Sequence, residues 1–247
     1  METLLTSLLN CDYTDLKDYL KFAFVNHDMF VRNTRLWGMC SSMPRSKCYH
    51  AVHLNKLCSL FPVHVMKIVR ARLALLTNLL ENPHTRIIWL VRDPRGTMTS
   101  RTSSVTWCDT KACKDPGYLC SDLQEDYSTF RYWTEENPNQ VKLVRYEDLA
   151  QDPYGKSKEI LEFAGLSLHA KVQSYLDDHL NSDEDVPWST RHDPRKVVRK
   201  WLKIMPWQFV AKCQFHCRTI MKILGYRIFT SQSDFSSGNA VGFLNLP

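Results

Sequence analysis

The apolar run Ile87–Val91 is rich in β-branched residues and leads straight into Arg92, Asp93 and Pro94. It is too short for a helix and reads as a buried strand. Asp93 is a good N-cap, and Pro94 fits the first helical position, where a missing N–H costs nothing. Arg92 therefore stands at a strand's carboxyl end and beside a helix N-terminus. Open α/β sheets bind anions at that place. Ser100 lies nearly two turns further along the helix, within reach of the same anion. Strand and cap alone would equally describe an ordinary strand-turn-helix with a surface arginine.

The rest of the chain predicts an α/β protein with a parallel sheet. Residues 63–69 alternate towards a strand, 71–80 read as a helix closed by Asn82-Pro83, and Ile87–Val91 follows. That order is strand-helix-strand. Further helices are expected over about 118–135, 154–164, 168–180, 196–202 and 208–224, with another strand over 141–146. Gly165 and Gly225 are plausible helix stops. Residues 1–20 carry helical spacing, and 26–50 read as a long connection. A single domain is expected over 1–230, and residues 231–247, rich in Ser, Gly and Asn, read as a frayed, disordered tail.

A length of 247 residues with 44% hydrophobic content allows a sizeable core. The net charge of +6 is unevenly spread: residues 191–222 hold nine Lys or Arg against one Asp. That suits an anionic ligand or an acidic glycan. Nucleic acid is disfavoured as a partner, because no recognisable binding motif accompanies the basic stretch. None of the nine cysteines forms a C-x-x-C pair, which excludes zinc-ribbon and thioredoxin readings. Cys108, Cys113 and Cys120 favour disulfides in an oxidising lumen, and an odd total leaves at least one thiol over. Cys213 and Cys217, a helical turn apart, read as core residues. No stretch approaches a membrane span, and the first residues do not read as a signal peptide. The missing Gly-x-x-x-x-Gly-Lys-Ser/Thr argues against a P-loop kinase or NTPase.

Leu90-Val91-Arg92-Asp93-Pro94-Arg95, followed by Ser100-Arg101, resembles the 3′-phosphate-binding segment of sulfotransferases. These enzymes use 3′-phosphoadenosine 5′-phosphosulfate (PAPS) as donor. The wording is most similar to Golgi carbohydrate sulfotransferases that modify N-acetylglucosamine, galactose or chondroitin. The resemblance implies a P-loop-NTPase-like sulfotransferase fold, with a parallel sheet flanked by helices. It also implies that Arg92 and Ser100 grip the donor's 3′-phosphate, with Arg95 counted among the donor-binding residues. Arginine suits such a role because its planar fork gives two hydrogen bonds to one phosphate. Leu143-Val144-Arg145-Tyr146-Glu147-Asp148-Leu149, then Asp152-Pro153, resembles the family's strand entering a helix; Glu147 and Asp148 suit that helix's first turn. Phe163-Ala164-Gly165-Leu166 is also similar. Ser189-Thr190-Arg191 resembles a stretch near the donor nucleotide that precedes a tryptophan-bearing helix, here with Trp201, and makes Arg191 a further donor contact. His192 stands where the family commonly has Asn. Lys67 and Arg70 resemble a basic pair near the reaction centre.

The family holds the 5′-phosphosulfate on an N-terminal strand-loop-helix with an Arg-x-Gly-Ser-Ser/Thr type of sequence, and this chain supplies none. Its first glycine is Gly38, without a serine pair beside it. The chain is therefore expected to lack the first strand-loop-helix and to turn over poorly as written. The alternative is a pseudoenzyme or binding module for a 3′-phosphoadenosine nucleotide or an anionic glycan. The catalytic base stays open between Glu147, His192 and a group outside the sequence. By resemblance, the acceptor is a glycan or glycosaminoglycan, no metal is needed, the location is the Golgi lumen, and membrane attachment would come from an N-terminal anchor outside these residues.

Overall fold

The computed structural model describes residues 2–103, 108–180, 182 and 193–237. The chain divides into two compact units, Met1–Asn82 and Pro83–Pro247, where one domain over 1–230 is expected from sequence.

The first unit is helical. Its helices include Glu2–Leu9, Lys17–Val25 and Ala51–Cys58. They enclose a core of Tyr13, Ala23, Trp37, Tyr49 and Leu54, with Trp37 stacked on Tyr49 at 4.9 Å between centroids. Disulfides Cys11–Cys58 and Cys40–Cys48 staple this small core. Cys11, Cys58 and His64 bring three donor atoms within 4.8 Å of one another, but the two sulfurs are bonded to each other and cannot serve as thiolate ligands. The strand expected over 63–69 does not form. That stretch has no hydrogen-bonded neighbour strand, and Val65 is 86% exposed. A strand exists only as part of a ladder, so alternation alone is not enough. The helix expected over 71–80 is a 3₁₀ helix, Leu73–Glu81, burying Leu73, Leu76, Leu79 and Leu80.

The second unit carries the parallel sheet. β1 (Ile87–Val91) pairs in parallel with β2 (Val141–Arg145), Ile87 opposite Val141 and Val91 opposite Arg145. A parallel pair needs a long crossover, and the helices Pro94–Ser103 and Pro116–Glu136 provide it. Trp89 and Val91 point to one face, where Trp89 meets Phe130 of the long helix with centroids 5.6 Å apart. The other face is open: Leu90 is 56% exposed, against the expectation of a strand buried on both sides. Pro153–Phe163 and Trp207–Ile223 both end in left-handed glycines, Gly165 at φ 74 and Gly225 at φ 71. In each, the residue after the glycine bonds back to the helix: Leu166 N–H to Leu161 O at 2.8 Å, and Tyr226 N–H to Met221 O at 2.7 Å.

Within 231–247, residues 238–247 lie outside the described residues, and Gln232–Ser236 is a helix rather than a frayed tail. Phe235 orders it by packing on Phe229 at 5.2 Å and on Trp201 at 6.2 Å. Cys108–Cys113 and Cys120–Cys217 are disulfides, and Cys213 is the buried free thiol, pushed up to about 12 chiefly by burial. Among the described residues no helix is long and apolar enough to cross a membrane.

Cys120–Cys217 joins two packed helices across 97 residues, whereas Cys108–Cys113 spans only 5. Because a longer closed loop restricts the unfolded chain more, replacing Cys120 and Cys217 by Ser is expected to cost about 2–5 kcal/mol. The same change at Cys108 and Cys113 should cost clearly less. Urea unfolding followed by tryptophan fluorescence checks the order.

Candidate functional site

The carboxyl edge of the sheet gathers three arginines: Arg92 after β1, Arg145 ending β2, and Arg95 in the first turn of Pro94–Ser103. Asp93 organises the turn between β1 and that helix. Its Oδ1 accepts the Arg95 backbone N–H at 2.9 Å, the cap that the sequence predicts. The same carboxylate also takes the Arg95 side chain, from Nε at 2.9 Å and Nη2 at 2.6 Å. Arg95 Nη1 donates to Gln214 Oε1 at 2.9 Å, and the guanidinium lies between Trp201 (4.6 Å) and Phe229 (5.0 Å). Gln214 fixes Phe229 in turn, accepting its N–H at 2.8 Å and donating to its carbonyl at 3.0 Å. Asp93 is 1% exposed and Arg95 2%. Arg95 is thus buried, with its side-chain hydrogen bonds all made to protein groups.

Glu147, in the first turn of Tyr146–Gln151, is equally committed. Its Oε1 accepts the Asp93 N–H and its Oε2 the Tyr226 hydroxyl, both at 2.9 Å. Burial, with the Asp93 charge beside it, raises the Glu147 carboxyl above the usual range. Tyr226 is held well above the ordinary phenol value by burial and by Glu147. Arg145 is closed off as well: Nε and Nη2 bond both carboxylate oxygens of Asp148 at 2.7 and 2.8 Å, and Nη1 donates to Leu224 O at 3.0 Å.

Arg92 differs from both. Its Nε is buried and has no hydrogen-bond partner. Among the described residues no carboxylate pairs with it, and its guanidinium lies 4.9 Å from the centroid of Tyr146. Because Val91 faces Arg145 across the ladder, Arg92 and Tyr146 leave the two strands side by side. Gly96 makes room for this: a Cβ there would stand 3.2 Å from Arg92 Nε and 3.1 Å from Trp201 Cδ1. Ser100 is one turn beyond Gly96 on the same helix stripe, and helical side chains lean back towards the N-terminus.

Of the residues singled out from sequence, Arg92 rests beside Gly96, Ser100 follows Gly96 by one turn on the same helix, and Arg95 is buried in the core. Arg191, with Ser189, Thr190 and His192, lies outside the described residues. Lys67 and Arg70 are exposed in the first unit. Tyr146, Gln214 and Tyr226 escaped the sequence reading. Tyr146 could have been found from the in-register pairing of the strands, whereas nothing local marks Gln214, 119 residues from its partner Arg95. Two surface depressions, of about 650 and 530 Å³, involve Gly165. The second is lined by His84, Arg86, Pro138 and Asn139, at the amino ends of the strands. Ligands of open α/β sheets bind at the opposite end, so Arg92 marks the better site.

Glu147 makes this edge sensitive to pH and substitution. A carboxyl whose pKa rises on folding favours the fold at low pH, and that contribution is lost as pH rises through its raised folded value. Glu147→Gln can keep both contacts, accepting from Asp93 and donating to the Tyr226 oxygen, and should flatten the stability profile above the ordinary carboxylate range. Glu147→Ala strands two buried donors and should cost about 2–5 kcal/mol at neutral pH. Denaturant unfolding of both variants across pH 4–8 checks this.

Residues 30–170, more than half of the chain, match the sulfotransferase family. Carbohydrate sulfotransferase 1 of Rattus norvegicus is 28% identical over 95% of this chain and 67% of its own length. The Danio rerio protein of the same name is also 28% identical, over 95% of this chain and 66% of its own. Carbohydrate sulfotransferase 3 of Mus musculus is 30% identical over 66% of this chain, which is 39% of that protein. The chain thus spans about two thirds of the first of these relatives and less of the last. With its α/β architecture and a family match that contains the whole β1–Arg92–Ser100 junction, the chain belongs to the sulfotransferase family.

Proposed function

We propose that this chain is a carbohydrate O-sulfotransferase whose donor is PAPS, with Arg92 and Ser100 binding the donor's 3′-phosphate. The observation that carries the reading is the division among the three arginines. Each guanidinium nitrogen of Arg95 and Arg145 donates to Asp93, Gln214, Asp148 or Leu224, while Arg92 keeps a buried Nε without a partner at the carboxyl end of a parallel strand. A phosphate supplies the missing acceptor, and a guanidinium can meet it with two parallel bonds. The names of the relatives support a sugar hydroxyl as acceptor, on a glycan or glycosaminoglycan. Four disulfides suit an oxidising lumen such as the Golgi.

In the transfer, the sugar oxygen forms a bond to sulfur as the bond from sulfur to the 5′-phosphate oxygen breaks. The hydroxyl proton passes to a base, and 3′-phosphoadenosine 5′-phosphate leaves. Positioning and cationic stabilisation supply the rate, as in phosphoryl transfer, with Lys and Arg in place of a metal. Each Glu147 oxygen already accepts a buried hydrogen bond, which argues for His192 or a group outside the sequence as that base.

Calorimetric titration with 3′-phosphoadenosine 5′-phosphate tests the assignment. Arg92→Ala should weaken binding roughly ten- to a hundredfold, the value of one or two charged hydrogen bonds, and Ser100→Ala should weaken it less. Gly96→Ala should also weaken it, by pressing a methyl group against Arg92 Nε. Adenosine 5′-phosphate, lacking the 3′ group, should bind the wild type and Arg92→Ala alike. Equal affinity of wild type and Arg92→Ala for the bisphosphate overturns the assignment. Radiolabelled sulfuryl transfer to a galactose- or N-acetylglucosamine-bearing glycan then separates an enzyme from a binding module.

A further inference from the structure

Trp207–Ile223 buries Val210, Cys213, Gln214, Cys217, Ile220 and Met221 on its inner side. Its outer side presents Lys212, Phe215, Arg218 and Lys222, all exposed, and Phe215 is 81% exposed. Lys212 and Arg218 flank Phe215 at three residues on either side, and Lys222 follows four residues after Arg218. These spacings put the four on one stripe, about 15 Å long at the helical rise of about 1.5 Å per residue. The helix contains no Asp or Glu. Among the described residues none of the three cations forms an ion pair.

A lone exposed phenylalanine needs no explanation. The company it keeps does. A solvated helix face ordinarily mixes signs at four-residue spacing, because opposite charges there stabilise the helix and like charges destabilise it. Here Arg218 and Lys222 repel at that spacing; the helix dipole favours Lys222 in the last turn, but among the described residues no ion pair accounts for the row as a whole. Cys120–Cys217 ties the helix to Pro116–Glu136, so the stripe is held on a rigid support.

We infer that the Lys212–Phe215–Arg218–Lys222 stripe is an exosite for an acidic polysaccharide, separate from the Arg92 site. A sugar ring can lay its C–H face on Phe215 while sulfate or carboxylate groups of neighbouring sugars meet the cations. The choice of a glycan over other polyanions rests on the function proposed above and on the disulfides, which point to a compartment without nucleic acid. A membrane surface is disfavoured: the apolar side of the helix is spent in the core, and a single ring is left for lipid. The stripe deepens that reading by binding parts of a polymeric acceptor remote from the reacting sugar.

The probe is a size-defined chondroitin sulfate octasaccharide, titrated into the full chain and followed by calorimetry at two salt concentrations. Lys212→Glu, Arg218→Glu and Lys222→Glu combined should lower affinity roughly tenfold or more. Phe215→Ala should lower it about two- to tenfold without changing the salt dependence. Both variants should remain folded and keep the wild-type affinity for 3′-phosphoadenosine 5′-phosphate, which separates failure of this stripe from failure of the donor site. Unchanged octasaccharide binding by the triple variant overturns the exosite. So does tighter binding of a DNA duplex of matched charge that ignores Phe215→Ala, which marks a charge-only surface. Recruitment to phosphatidylserine vesicles that is lost in Phe215→Ala, without octasaccharide binding, assigns the stripe to membranes instead.

Discussion

The buried Asp93–Arg95 pair is the interaction on which the carboxyl edge of the sheet depends. Two charges at 1% and 2% exposure are stable only when their remaining hydrogen-bonding capacity is met. Asp93 supplies the bidentate partner, Gln214 takes the remaining guanidinium arm, and Trp201 and Phe229 cover the faces. Glu147 holds the Asp93 backbone from the second strand's helix, and Tyr226 holds Glu147. Strand, crossover helix and C-terminal segment are therefore joined through one polar cluster. Breaking a buried pair by removing one partner typically costs about 3–5 kcal/mol, because the other charge is left without compensation.

That cluster also decides which arginine faces outward. Three guanidiniums meet at this edge, and carboxylates are allotted to two of them. Arg92 is left with an aromatic ring beneath it, a glycine beside it and an unmet Nε. In the proposed donor site, the 3′-phosphate would meet an arginine positioned by its neighbours rather than a single flexible surface charge.

Chain direction matters as much as charge. Gly225 turns the backbone back at the end of Trp207–Ile223 and delivers Tyr226 to Glu147 and Phe229 to Arg95. The outer side of the same helix remains free for other business, with Phe215 and its cations in solvent. One helix thus supports the carboxyl edge of the sheet from within and offers a basic row outside.

The strand Ile87–Val91, the Asp93 cap with Pro94 behind it, and the glycine stops at 165 and 225 were legible because each is settled by a few adjacent residues. Residues 63–69 misled because alternation describes a strand's faces and says nothing of whether a partner is present. The segment 232–236 misled in the opposite sense: polar composition concealed Phe235, which finds Trp201 and Phe229 only in three dimensions. In the sequence Arg92 stands out at the strand end, and Arg95, three positions on, is counted with it as a donor-binding residue. The tertiary structure parts the two, because Gln214, Trp201 and Phe229 arrive from the far end of the chain to bury Arg95 and leave Arg92. The sequence by itself determined the strand-to-helix junction and the kind of anion chemistry it suits, since caps and strand ends are local. Which side chain remains available for that chemistry was decided by long-range burial, which no local pattern encodes.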